Sequence, residues 1–336
     1  SASGNTAFFE RNYPILLAVN GIIAAALAVL VLLLVRRLIK RLRLKRFGAR
    51  LTTRFAVAFA LMGVFVKVAS AHYTTAELVF WRSILQMAVA WAILRQAGDS
   101  VRTQRLGMHV HRGVAGFVSL FMFFYALTEL PVATAMTLNY SSPLFLAILL
   151  TVLARERPGA KLVGTVLLGF AGVVLLLQPA FAADQWHAGL IGLVSGAISA
   201  VAYWNVRELV HAEEPEARVV FYFGLFAFAG SLVWMAPQRW HVPTVETGWL
   251  LAAVGGLGAL GQLAMTRAYG HGSTLVTAAL SYSGIVFSSV IGIAWFGDLL
   301  SWSAWVGIAL IVAAGILAVH LRPDRREDAA SQMTND

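Results

Sequence analysis

The chain has 336 residues, of which 59% are hydrophobic and 12% charged, and it contains no cysteine. Soluble domains are usually close to half apolar and one quarter charged, so this composition indicates a membrane protein. The absence of cysteine excludes disulfides, thiolate metal sites and thiol catalysis.

Eleven apolar stretches are bounded by charged or turn residues and approach the length of about 20 residues that a membrane-spanning helix needs. They are residues 15–35, 55–71, 76–94, 113–130, 132–154, 162–178, 188–206, 219–235, 248–266, 274–296 and 302–320. The connections between several of them leave room only for tight helical hairpins. The sequence therefore predicts an all-α polytopic membrane protein with the lipid bilayer as its surroundings.

The net charge of +10 is concentrated in residues 36–54, which hold nine lysines and arginines and no acidic residue. Such a local cluster is typical of a cytoplasmic membrane face and does not indicate a nucleic-acid surface. With this loop inside, the basic residues of the other loops fall on the same side, and the chain is predicted to have its N-terminus outside and its C-terminus in the cytoplasm.

An internal repeat is visible at a separation of about 142 residues, where Tyr140-Ser141 falls on Tyr282-Ser283. It divides residues 55–320 into two units of five spans. Because five is an odd number, the second unit enters the membrane inverted, as in secondary transporters that work by alternating access. We therefore expect a ten-helix transporter of two inverted five-helix repeats plus one extra N-terminal helix, with units at 1–54, 55–180, 181–324 and a disordered tail at 325–336.

Both repeats interrupt a span at matching places. Pro143 lies near the middle of span 132–154 and frees the carbonyl group of Asn139, four residues earlier. The matching segment is Tyr282-Ser283-Gly284. A freed carbonyl in hydrocarbon must face protein, water or ligand. The alternative is a proline kink satisfied by Ser141 or Ser142, without a ligand role.

Aromatic and polar residues near this level are the candidates for solute binding. The predicted substrate-binding residues are Trp81, Arg82, Tyr125, Asn139, Tyr140, Pro143, Trp204, Gln262, Tyr282 and Ser283. Each has a structural alternative, because rings also pack in cores and amides also join helices. Arg82 has two possible partners, which are Glu77 or a carboxylate of the solute.

No sequence motif indicates catalysis or nucleotide binding. Gly256, Gly258 and Gly261 match G-x-G-x-x-G, but they lie in an apolar helix and not after a strand. The sequence has no Walker loop and no H-E-x-x-H or G-x-S-x-G motif. We therefore predict a protein that is not an enzyme, with no catalytic residue, metal, cofactor, ATP or nucleic-acid partner.

Residues 63–324 resemble the EamA-type branch of the drug/metabolite transporter superfamily. The resemblance rests on A-x-x-L-x-Y-S-S-P with a following Glu156, and on L-x-Y-S-G with a following Asp298. The segments at 63–67 and 77–82 are most similar to YddG-type aromatic amino acid exporters. This resemblance implies export of aromatic amino acids or related amphiphiles across a bacterial inner membrane.

Residues 5–62 resemble something else, namely the membrane region of NtrY-type sensor histidine kinases, in segments 5–14 and 46–55. We hypothesise an engineered fusion in which a kinase helix that begins near Thr53 continues into the transporter around 60–64. The alternative function is then a signalling segment carried on a transporter scaffold, with no kinase activity in this chain. A natural transporter with a leader helix is the other alternative.

Overall fold

The computed structural model describes residues 46–130, 132–153, 159–179, 185–237, 240–291, 293 and 300–321. Several predictions fall outside these ranges. They concern the span at 15–35, the kinase-like residues before 46, Glu156, Asp298 and the tail at 325–336.

The described ranges are α-helical and contain no strand. In chain order the helices are α1 (Arg46–Ala69), α2 (Thr75–Ala97), α3 (Leu106–Glu129), α4 (Val132–Asn139), α5 (Ser142–Val152), α6 (Ala160–Leu177), α7 (Trp186–His211), α8 (Glu216–Met235), α9 (Val245–His271), α10 (Thr274–Ser281), α11 (Ser283–Ile291) and α12 (Trp302–His320). Helices α4 and α5 are two halves of one interrupted span, and so are α10 and α11. The predicted all-α fold with ten spans in the transporter body is confirmed.

Eight of these ten spans are long and apolar enough to cross a membrane. The other two, α1 and α3, carry basic residues in their first turns. Helix α3 begins at Leu106 and not at the predicted 113, because neighbouring helices bury His109 and Arg112. Helix α1 is continuous from Arg46, so the proposed unit boundary after residue 54 falls inside a helix.

The same contacts between helices occur twice in the molecule, and the two five-span units exchange roles between the first occurrence and the second. Helix α1 packs along α9 as α7 packs along α3, and α11 packs on α1 as α5 packs on α7. Two helices pack on their own counterparts, α2 on α8 and α6 on α12. This exchange is what a two-fold relation between two five-span units produces, as the inverted repeat predicts.

The same hydrogen bond closes both helix breaks. Ser141 Oγ donates to the Leu138 carbonyl oxygen at 2.5 Å, and Ser283 Oγ donates to the Leu280 carbonyl oxygen at 2.7 Å. Each residue of one pair is 142 positions from its counterpart, so the sequence repeat is reproduced at the level of single bonds. A serine hydroxyl thus adds a hydrogen bond to one carbonyl group in the turn that precedes each break.

Two glycines bring the last spans of the repeats into backbone contact. A Cβ atom added to Gly172 would lie 2.7 Å from the Gly307 carbonyl oxygen, and one added to Gly307 would lie 2.5 Å from the Gly172 carbonyl oxygen. Helices in membranes associate through such close approach of small residues, since lipid provides no hydrophobic drive. The α6–α12 pair therefore depends on the absence of side chains here.

At one end of the molecule, Glu77 at the start of α2 joins the two repeats. Its carboxylate accepts from the Thr74 amide at 2.7 Å and thereby caps α2. It also accepts from the backbone amide of His241, in the loop between α8 and α9, at 2.5 Å. Glu77 is therefore occupied by His241 and not by Arg82.

At the opposite end, Glu214 in the loop between α7 and α8 makes the corresponding connection. Its carboxylate accepts from Thr103 Oγ1 at 2.6 Å and from an Arg218 Nη atom at 2.8 Å, and it lies 3.2 Å from His109 Nε2. Burial alone raises the pKa of Glu214, but these three hydrogen bonds outweigh it and hold the pKa below its ordinary value. The first repeat supplies Thr103 and His109.

Gly172→Ala should destabilise the protein, because the added methyl group meets backbone atoms of α12 that cannot move aside. Overpacking of this kind costs about 1–3 kcal/mol. Thermal unfolding in detergent measures the effect. Gly164→Ala on the same helix is the matched control, since its methyl group meets nothing within 4 Å. Equal melting temperatures of the two variants would contradict backbone contact between α6 and α12.

Glu214→Gln should lower the melting temperature at neutral pH by about 2–5 °C, because it removes a charged hydrogen-bond acceptor. A carboxylate whose pKa is lowered by folding stabilises the protein above its ordinary value of 4.5 and loses that contribution as pH falls through the folded value. The difference from the parent should therefore shrink below pH 4.5. Glu213→Gln is the control, and a difference that stays constant with pH would contradict the charge-based explanation.

Candidate functional site

A cavity of about 280 Å³ lies between the two repeats. Its wall takes residues from α1, α2, α3, α7, α8, α9 and the break between α4 and α5. They are Phe59, Met62, Arg82, Arg112, Gly116, Ser119, Leu120, Phe123, Asn139, Tyr140, Ser199, Ala202, Tyr203, Phe223, Gln262 and Met265. Its volume is at the low end for small-molecule sites, which run from about 300 to 1,000 Å³, so the cavity suits a small solute.

Four of the predicted residues line this cavity, namely Arg82, Asn139, Tyr140 and Gln262. Asn139 donates to Ser195 Oγ at 3.3 Å and so joins α4 to α7 as well. The Gln262 side-chain oxygen is buried and has no hydrogen-bond partner in the described part of the chain. An unsatisfied buried acceptor of this kind is available to a donor on a solute.

Three predicted residues of the helix breaks lie behind the wall and not in it. Tyr282 is fully buried in the main core, with its ring centroid 6.4 Å from that of Tyr140. Pro143 occupies the first turn of α5, where it is buried, and Ser283 closes the second break. The carbonyl freed by Pro143 faces protein, since a Cβ atom on Gly196 would lie 3.3 Å from the Asn139 oxygen.

The three remaining predicted rings point elsewhere. Trp81 packs edge-on against Phe80, Trp204 packs against the main core, and Tyr125 is 42% exposed. Trp81 precedes Arg82 and Trp204 follows Tyr203, and both of these neighbours line the cavity. Neighbouring residues on a helix point about 100° apart, since a turn holds 3.6 residues. The hydropathy pattern indicated where along each helix the cavity lies, but not which face of the helix turns toward it.

Two arginines dominate the electrostatics of the cavity. Arg82 is 9% exposed and Arg112 is 3% exposed, and both line the wall. Within the described residues neither forms an ion pair, and the Nε atom of each has no hydrogen-bond partner. The Arg112 guanidinium carbon lies 4.2 Å over the Phe223 ring. This cation–π contact compensates in part for the burial of the Arg112 charge.

Arg112 lines the cavity from within α3, whereas the sequence predicted it to lie in the loop before the span at 113–130. Its neighbours His109, His111 and Arg105 make the first turns of α3 polar, so a hydropathy window excludes them. The available signal was helical spacing. Arg112, Gly116 and Ser119 follow one another at intervals of four and three residues, which places them on one face.

Paired glycines make room for the two guanidinium groups. A Cβ atom on Gly258 would lie 2.8 Å from Arg82 Nε, and one on Gly116 would contact Arg112. The two glycines are 142 residues apart and so occupy matching places in α3 and α9. Gly258 is the second glycine of the G-x-G-x-x-G match, and here its lack of a side chain leaves space for Arg82.

Comparisons with known proteins agree with this architecture. The model of the EamA-like transporter family matches residues 46–178. The pseudopaline exporter CntI of Pseudomonas aeruginosa is 32% identical over 282 residues, which cover 83% of this chain and 95% of that protein. A riboflavin transporter of Vibrio cholerae is 26% identical over 289 residues, 83% of this chain and 96% of that protein.

A solved crystal structure superposes with a TM-score of 0.74 at 22% identity, over 82% of this chain and 96% of that one. This likeness shows a shared fold. Together with the extent of the match to the pseudopaline exporter, it leads to one conclusion. The chain is a multi-pass membrane transporter that belongs to the EamA-like transporter family.

Proposed function

We propose that this protein exports a small amphiphilic metabolite by alternating access and that aromatic amino acids are the first candidates. The observation that carries the proposal is the cavity between two exchanged halves, with rings and polar groups in one wall. The preference for aromatic solutes comes from the resemblance of segments 63–67 and 77–82 to aromatic amino acid exporters.

The wall offers a separate surface for each part of such a solute. Phe59, Phe123, Tyr140, Tyr203 and Phe223 provide aromatic surface for a ring. Tyr203 stacks on Tyr269 with ring centroids 5.0 Å apart, which fixes its orientation. Gln262 and the two arginines face the polar end of the solute, so ring and carboxylate are bound by different residues.

Alternating access needs closures that form and break at both ends, and the fold supplies one at each. Glu77 connects α2 to the α8–α9 loop at one end. Glu214 and Arg218 connect the start of α8 to the α2–α3 loop at the other, where Arg218 donates to the Ser100 carbonyl oxygen at 2.9 Å. Both closures join the first repeat to the second, so rocking of the halves opens one end and preserves the other.

The names of the relatives support transport of a small organic solute. One is an exporter of pseudopaline and the other a transporter of riboflavin. Outward transport is proposed by analogy with the pseudopaline exporter. The predicted orientation places the C-terminus in the cytoplasm of a bacterial cell. The cavity of about 280 Å³ favours a solute with one ring system and short substituents.

Purified protein in liposomes loaded with labelled phenylalanine or tryptophan tests the proposal. We expect release above the leak of protein-free vesicles, with saturation as the internal concentration rises. Release at the leak rate for both amino acids would remove the aromatic-solute claim.

Two tyrosines at matching repeat positions refine this test, because one lines the cavity and the other lies in the core. Tyr140→Ala should raise KM about tenfold through lost stacking. Tyr282→Ala should instead lower the free energy of unfolding by about 3 kcal/mol or more, since it opens a void in the core. Trp302→Ala, at an 82% exposed position, is the control. Normal release by the double tyrosine variant would contradict the site.

The segment before residue 46 is proposed to be dispensable for transport, whether it is a kinase-like fusion segment or a leader helix. Deletion of residues 1–45 retains the whole described range of α1, Arg46–Ala69. We expect release from liposomes to be unchanged. Loss of transport in a folded protein would favour the rival function, in which this segment is the functional part and the helical body its carrier.

A further inference from the structure

The two arginines of the cavity identify the charge of the solute. Each has little exposure to solvent, and a buried cation is costly unless an anion accompanies it. Both guanidinium groups face the same cavity, so the free-energy cost of burying a cation applies to each of them there. A protein that keeps two such cations together has a site for negative charge.

The described part of the chain does not provide that negative charge. Glu77 is bound by Thr74 and His241, and Glu214 by Thr103, His109 and Arg218. Among the described residues no acidic one lines the cavity, and the other polar groups of its wall are amides and hydroxyls. Ser119 and Ser199 bond to each other at 2.5 Å and carry no charge. No acidic side chain of the described residues pairs with either arginine, so the cavity is open to an anion from a solute.

We infer that the solute carries two acidic groups on an apolar body, one for each arginine. The planar guanidinium group binds carboxylate or phosphate through two parallel hydrogen bonds, and here two such groups converge. A simple amino acid brings one carboxylate and one ammonium group, and the wall offers the ammonium no carboxylate. This inference rests on the proposed function only in treating the cavity as the transport site.

The geometry assigns each arginine its place in the site. Glycine at position 258 leaves space for Arg82, and glycine at position 116 leaves space for Arg112. Phe223 lies beneath the Arg112 guanidinium group and holds its plane. Tyr140 and Tyr203 complete the apolar side of the cavity. A dicarboxylate with one ring satisfies every one of these surfaces.

A chemically matched series of ligands tests the inference on the purified full-length protein. Phenylalanine, 3-phenylpropanoate and benzylmalonate differ in one substituent, which is ammonium, hydrogen or carboxylate. Benzylsuccinate adds a second spacing of the two acids. Calorimetry and thermal shift at pH 7.5 should show at least tenfold tighter binding of a dianion than of either other ligand. Equal affinities, or tightest binding of phenylalanine, would overturn the inference.

Variants of the arginines locate the effect. Arg82→Gln and Arg112→Gln should each weaken dianion binding about tenfold or more and reduce the preference over 3-phenylpropanoate. Arg95→Gln on the same helix as Arg82, at an exposed position, is the matched control and should change neither. Without ligand, the two cavity variants should melt no lower than the parent, since each removes a buried charge that has no ion-pair partner. A marked loss of stability would show that the arginines are structural and would overturn the inference.

Release from liposomes separates this inference from the proposed function. If dianions bind but no solute is released, the inference stands and the transport proposal fails. If phenylalanine is released and dianions neither bind nor compete, transport stands and the inference fails.

Discussion

Polar groups inside a membrane must find partners in the protein or in the solute, and this constraint organises the whole molecule. At the helix breaks the protein supplies the partners. Ser141 and Ser283 each bond a carbonyl group of the preceding turn, and Gly196 brings a neighbouring helix against the Asn139 carbonyl. At the cavity the described residues leave the guanidinium groups of Arg82 and Arg112 without an ion-pair partner. The helix breaks are therefore bonded within the protein, and the two arginines make the cavity the candidate ligand site.

Much of the fold could be predicted from sequence because the signals are physical properties of length and hydropathy. Ten spans and the 142-residue repeat follow from apolar stretches and ordered identities. The site could be predicted in part. Arg82, Asn139 and Gln262 attract attention as polar groups in apolar spans, and all three line the cavity.

The rest depended on information that one sequence does not carry. The repeat makes Tyr140 and Tyr282 equivalent, yet one lines the cavity and the other is buried behind it. Trp81 adjoins Arg82 but packs against Phe80 and not into the cavity, since the rotation of a helix follows from its neighbours. Arg112 was hidden in a polar helix start whose burial comes from contacts with α7 and α8. In each case tertiary packing determined the role of the residue.

The two repeats provide a symmetric frame, and the site arises where their side chains differ. Gly116 and Gly258 hold the same space open in both halves. The guanidinium groups that enter these spaces both come from the first repeat, Arg82 from α2 and Arg112 from α3. At the 142-residue separation the positions that match them are Gly224 and Val254, which carry no charge. Because the second repeat contributes no arginine or lysine to the described cavity wall, the cavity has a charged side and an uncharged side. If the cavity binds an amphiphile as proposed, we expect that solute to take one preferred orientation, with its acidic end toward the first repeat.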